Sequence, residues 1–165
     1  MNNDPNLDPV GWRLLRALQD DARLSYRELG RRVGLSSPAV AERVRRMEEM
    51  GLITGYRATL DPSKVGYPIM VFINLKTTGQ HHQRLDNTAQ TLNEILECHH
   101  VTGQDNFIIK AIVSSLIHLE DLIARLRSYG DTTTSIVLSS PVRDKPIQSV
   151  VCKRIKKPPA VGNNN

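Results

Sequence analysis

Aromatic residues make up only 4% of the 165 residues, and there are two cysteines, Cys98 and Cys152, far apart in the chain. So few cysteines supply neither a disulfide framework nor a metal knuckle, and fit a reducing cytoplasm. No apolar run approaches the ~20 residues of a membrane helix. Met1-Asn2-Asn3-Asp4-Pro5 has no basic start leading into an apolar stretch, so neither a spanning nor a secreted protein is expected. A Walker-type loop, a GxGxxG turn, a nucleophile elbow and an HExxH motif are all missing. The expectation is a non-enzyme with no cofactor. His99-His100 next to Cys98 falls in a strand-like run, where at most two of three neighbours share a side. These histidines, and His81-His82, read as satisfied or exposed groups, and no metal is expected.

Acidic residues are outnumbered, 17 against 22 basic, for a net charge of +5. Residues 1–60 hold ten basic and eight acidic side chains, and all ten basic ones are Arg. Arginine's planar fork suits phosphate oxygens and guanine edges, although a GC-rich genome would enrich it too. Residues 152–165 hold four basic and no acidic groups, in Lys153-Arg154-Ile155-Lys156-Lys157. This tail reads as a solvated segment, with weak phosphate contact as the alternative.

Asp8-Pro9 has the form of a helix cap followed by proline in the first turn, and Leu14, Leu15 and Leu18 supply an apolar stripe. Ser25-Tyr26-Arg27-Glu28 is a capping box, so a second helix starts near Tyr26, and Gly34 can end it. After a turn of about three residues, Ser37-Pro38 looks like another cap, opening a helix to about Met50. Its wheel puts Val40, Val44 and Met47 on one face and Glu42, Arg45, Arg46 and Glu49 opposite. Ser36, Ser37, Pro38, Ala39 and Arg43 lie near its amino-terminal end or flank. A tight helix pair whose second member carries arginines outward is the helix-turn-helix geometry, which sets that member's first turns into a major groove. A small bundle with a solvated charged face, or a protein-binding helix, is the alternative. Ile53 to Leu60 reads as a strand serving as wing or linker, and Asp61-Pro62 with Gly66-Tyr67-Pro68 marks a boundary.

The second half reads β (69–76), α (81–93), β (97–102), β (107–114), α (116–129), β (134–140). That order is the split-βαβ, ferredoxin-like arrangement. The fold class is therefore α+β: an amino-terminal winged-helix-like helix-turn-helix domain (1–52), a strand linker (53–68), and a carboxy-terminal ferredoxin-like βαββαβ domain (69–145). A carboxy-terminal extension with the basic tail (146–165) follows. Such a sheet carries both helices on one side, so a second copy is the obvious cover for the other. A two-fold dimer would match a palindromic duplex.

Leu7-Asp8, Gly34-Leu35-Ser36 through Arg43-Val44-Arg45-Arg46-Met47-Glu48, and Ile53 after Gly51 together resemble the helix-turn-helix of the Lrp/AsnC (feast/famine) regulators. Val101-Thr102-Gly103 ahead of Phe107-Ile108-Ile109-Lys110, and Thr134 to Leu138, resemble that family's effector domain. The resemblance covers residues 7–145. It implies a transcriptional regulator on double-stranded DNA, a homodimer that often builds octamers, and an amino acid or similar effector at interfaces between sheet domains. It places Ser36, Ser37, Pro38, Ala39, Glu42, Arg43, Arg45 and Arg46 at DNA, and Thr102, Gly103, Asp105, Asn106, Thr133, Thr134 and Ser135 around the effector. The family often has an acidic residue where this chain has Asn106, so Asp105 would have to compensate, or the effector differs. Two rivals share the reading: a sirohaem-decarboxylase-like enzyme on the same architecture, and a chromatin-like protein binding DNA without preference.

Overall fold

The computed structural model describes residues 7–77, 82–103 and 106–149. The described residues form two units: 7–57 together with 144–149, and those within Ala58–Arg143.

The first unit is built on three helices, α1 (Pro9–Asp20), α2 (Tyr26–Val33) and α3 (Ser37–Glu49). Asp8 caps α1 by accepting from the Gly11 amide at 2.7 Å. In α2 the expected capping box forms, with Ser25 and Glu28 each accepting from the other's backbone N–H. Ser36, one residue earlier than expected, caps α3 and leaves Pro38 in its first turn. Leu14, Leu29, Val40 and Val44 are fully buried with Ala17, Val33 and Met47. Each such aliphatic side chain contributes about 1.5–3 kcal/mol on burial. Gly34, at φ +77°, turns the chain out of α2. The Gly34 and Leu35 amides both donate to the Gly30 carbonyl, at 2.8 and 3.0 Å. This fixes the short turn and with it the setting of α3 against α2.

The strand expected over residues 53–60 is not present. A strand needs a neighbour to satisfy its backbone, and none lies beside this segment among the described residues. The Tyr56 hydroxyl instead donates to Glu48 of α3 at 2.8 Å. Asp61 then caps a 3-10 turn, Pro62–Val65, closed by Gly66.

The second unit contains β1 (Ile69–Lys76), α4 (His82–Thr91), β2 (Ile95–His100), β3 (Phe107–Val113), α5 (Leu116–Arg127) and β4 (Asp131–Ile136). The sheet is antiparallel in the order β2-β3-β1-β4, the expected ferredoxin-like arrangement. Val71, Ile73, Leu75, Phe107, Ile109 and Val113 pack with Leu85 of α4 and Leu119, Leu122 and Leu126 of α5. Both helices therefore cover one face, and Phe72 is exposed on the other. Strand β4 starts three residues earlier than expected because its register is set by β1, from Lys76↔Asp131 to Val71↔Ile136. Beyond it, among the described residues, only the Val137 amide continues the pairing, to Met70.

Candidate nucleic-acid interface and effector turn

The buried stripe of α3 leaves Pro38, Glu42, Arg45 and Glu49 facing outward, with Ala39 and Arg46 on one flank. Ser36, Pro38 and Glu42 are exposed, while Ser37 and Ala39 are half-buried, so the small residues sit together at the helix start. The arginines are not equivalent. Arg45 bonds Glu42 with both arms of its fork, at 2.7–3.1 Å, and also reaches Glu49. The Arg45 guanidinium in turn holds the Glu42 carboxyl below its usual range. Arg43 points away from the outward face: its Nη1 donates to both carboxylate oxygens of Asp8 at 2.9 Å. The Asp8 carboxyl is lowered first by the Gly11 amide and then by Arg43. One carboxylate thus caps α1 and clips α3 to it. Arg46 is exposed and makes no ion pair among the described residues.

Helix α2 contributes cations that the sequence reading passed over. Leu29, Gly30 and Val33 are buried, which turns Arg27 and Arg31, one helical turn apart, to the exposed side. Neither forms an ion pair among the described residues. The wheel argument applied to α3 would have found them on α2.

In the second unit, Gly103 has φ +127° and open space where a Cβ would stand, so backbone conformation alone explains a glycine there. Thr102 is exposed beside it, and Asp105 lies outside the described residues. Asn106 is committed to the fold. Its Oδ1 accepts from the Thr77 amide at 2.9 Å, its amide donates to Leu75, and its carbonyl accepts from Val101. One of the two acceptor sites of Oδ1 is therefore engaged within the fold, which fixes the direction of the side chain. Thr77 Oγ1 donates to the Tyr129 carbonyl at 2.6 Å, and the Tyr129 hydroxyl meets Thr88 at 2.7 Å. The β2–β3 turn, the end of β1 and the end of α5 are thereby tied together. A Cβ on Gly130 would lie 2.1 Å from the Lys76 carbonyl oxygen, so only glycine permits that approach.

The three hydroxyls expected to converge on one pocket are divided by the pleat. Thr134 pairs with buried Ile73 and shares its side of the sheet, whereas Thr133 and Ser135 pair with Asn74 and Phe72 on the other. Among the described residues no cluster of three or more His, Cys, Asp or Glu side chains could hold a metal. No helix there is long and apolar enough to cross a membrane.

Residues 7–54 match the model of a winged helix-turn-helix DNA-binding domain, and residues 70–147 match that of the Lrp/AsnC ligand-binding domain. The chain is 34% identical to the HTH-type transcriptional regulator LrpC of Bacillus subtilis, over 81% of this chain and 92% of that protein. It is also 34% identical to the leucine-responsive regulatory protein of Escherichia coli K12, covering 81% and 85% respectively. The solved structure of B. subtilis LrpC superposes with a TM-score of 0.78, over 81% of this chain and 96% of that one. A feast or famine regulatory protein of Mycobacterium tuberculosis, solved as a complex with L-methionine, is 31% identical, with a TM-score of 0.78 over 87% and 99%.

Proposed function

Because this chain belongs to the Lrp/AsnC family of transcriptional regulators, we propose that it is a sequence-specific, effector-responsive DNA-binding regulator that acts as a homodimer in the cytoplasm. The observation that carries this reading is the Gly30–Leu35 turn, which leaves the outward face of α3 clear of its own unit's core. Residues Ser36 to Ala39 and Glu42 meet base edges or the groove wall, and small side chains there allow close approach. Arg45 contributes to readout after leaving its carboxylates, and Arg46, Arg27 and Arg31 neutralise phosphates on either side. Arg43 acts indirectly, by fixing α3 to Asp8.

Dimerisation uses the open sheet face around Phe72, where Lys110 is bonded to Glu97 at 2.6 Å beside the apolar centre. Segment 54–60 makes no backbone–backbone hydrogen bond among the described residues and is open to a symmetric partner, and assembly to octamers is compatible with it. An amino acid binds against the turn at Thr102, Gly103 and Asp105, with Thr133 and Ser135 on the partner-facing side. The L-methionine in the M. tuberculosis relative supports an amino-acid effector. Such an effector changes DNA affinity by favouring one assembly geometry over another.

The test is selection of bound duplexes from a random pool, followed by titration on a selected site. Arg27→Ala and Arg31→Ala should each weaken all duplexes alike and lower the salt slope by about one. Absence of any enriched sequence, or of a complex at about 50 mM salt, would refute the reading. Sedimentation with and without L-methionine or L-leucine tests the effector arm; an unchanged profile and no heat of mixing would count against it.

A further inference from the structure

A recess of about 400 Å³ opens in the helical unit between residues of α1 and α2, and no residue of α3 borders it. That volume falls within the roughly 300–1,000 Å³ of small-molecule sites. Trp12, Arg13, Arg16, Asp20 and Arg32 stand on its walls. The segment Ile147, Gln148 and Ser149 supplies another side. Gln19 of α1 fixes that segment through the Ile147 backbone: its Oε1 accepts from the Ile147 amide at 2.8 Å, and its Nε2 donates to the Ile147 carbonyl at 3.1 Å.

The charges on these walls do not cancel. Arg16 donates its Nε to Asp20 at 3.0 Å, so those two answer each other. Arg13 donates one N–H to the Val33 carbonyl at 3.4 Å, which sets its fork beside the residue that follows Arg32. Neither Arg13 nor Arg32 makes an ion pair among the described residues. Two guanidinium groups thus line one concavity with no carboxylate in contact, an arrangement that repels itself until an anion enters. Half-buried Trp12 adds a broad aromatic surface to the same walls. Guanidinium forks take phosphate bidentately, and aromatic faces stack nucleobases of any identity.

We propose that this recess binds a free nucleotide, with Arg13 and Arg32 on the phosphate and Trp12 against the base. The site is separate from the α3 face and from the Gly103 turn, which belongs to the other unit. A concave seat without an α3 residue on it suits a small molecule rather than a duplex lying along α3. A nucleotide held there bridges α1 to α2 and stabilises the helical unit by mass action.

The experiment uses the full chain without DNA. Trp12 is the only tryptophan, so its fluorescence reports occupancy, with free tryptophan titrated in parallel to correct for light absorbed by the base. Adenosine monophosphate should change the emission saturably and raise the melting temperature. Adenosine and inorganic phosphate, each carrying half of the recognised chemistry, should bind at least roughly tenfold more weakly. Arg13→Gln and Arg32→Gln alter exposed side chains and should each weaken the nucleotide roughly 10–100-fold. Arg32→Lys should lose less, because it keeps the charge but not the fork. An emission change no larger than that of free tryptophan, with no shift in melting, overturns the proposal. Inorganic phosphate binding as tightly as the nucleotide also overturns it, since the site would then be a bare anion seat. So does a duplex that displaces the nucleotide and loses affinity equally in both Gln variants, which would assign these arginines to the DNA backbone.

Discussion

Replacing Gly30 by Ala isolates the turn on which DNA recognition depends. In an ordinary helix interior the change is favourable, by about 0.8–1 kcal/mol. Here the added Cβ would stand 2.4 Å from the Leu35 carbonyl oxygen, and its next neighbours are the carbonyl carbons of Leu35 and Ser36. All are backbone atoms, so no side chain can swing aside. A carbon–oxygen contact needs about 3.3 Å, and roughly 1 Å must come from displacing residues 34–36. Those residues are held by the two hydrogen bonds to the Gly30 carbonyl and carry the cap of α3. Overpacking of this kind costs about 1–3 kcal/mol, leaving a net loss of up to about 2 kcal/mol after the propensity gain. The chain's single tryptophan, Trp12, lies in α1. Its fluorescence during urea unfolding therefore reports on this unit, and anisotropy with a selected duplex reports on α3. Gly34→Ala is the control: φ is +77° but nothing lies within 4 Å of its Cβ, so it pays about 1 kcal/mol of backbone strain without moving the turn. Gly30→Ala should lose more DNA affinity than Gly34→Ala at matched stability. A Gly30→Ala protein as stable as wild type, with undiminished affinity, would refute the reasoning.

Further outcomes follow from the charge and packing arrangement. Glu42→Gln removes a carboxylate from the groove-facing side and loosens Arg45, so affinity for scrambled duplexes should rise severalfold at low salt and converge with wild type at high salt. No rise at any salt would remove Glu42 as a filter. Burial of Glu94 works to raise its pKa, but hydrogen bonds from His118 and Arg125 outweigh that and hold it at about 2. A depressed carboxyl stabilises the fold in full above its ordinary value near 4.5, and the contribution disappears as pH falls towards 2. Glu94→Gln should therefore cost roughly 1–3 kcal/mol at neutral pH and flatten the acid limb between pH 4.5 and 2, read by circular dichroism melts. Phe72→Asp puts a charge at the centre of the open sheet face and should shift sedimentation to the monomer while leaving the monomer folded. An unchanged assembly would place the dimer interface elsewhere.

How far the sequence reached depended on whether a feature was local. Ser25–Glu28, Asp8-Pro9 and Gly34 each specify a helix end through atoms three or four residues away. Alternation along Val71, Ile73 and Leu75, and the 3.6 period of Leu119, Leu122 and Leu126, announced strands and helices in the right order. The site was legible as a helix face but not residue by residue. Arg43 on the flank and Arg45 on the outward face both read as DNA contacts, yet one is clipped to Asp8, 35 positions earlier, and the other is held by its own helix. Asn106 looked like a ligand group, and its partner Thr77 lies 29 positions away.

Short-range hydrogen bonding and hydrophobic period, both written in consecutive residues, determined the helices, the succession of helices and strands in the second unit and the charged face of α3. Folding in three dimensions decided the rest: which arginines are ion-paired among the described residues, which side of the pleat each of Thr133, Thr134 and Ser135 takes, and why Gly30 must be glycine. Each of these depends on an approach between atoms distant along the chain, and no local pattern of residue types encodes such a distance.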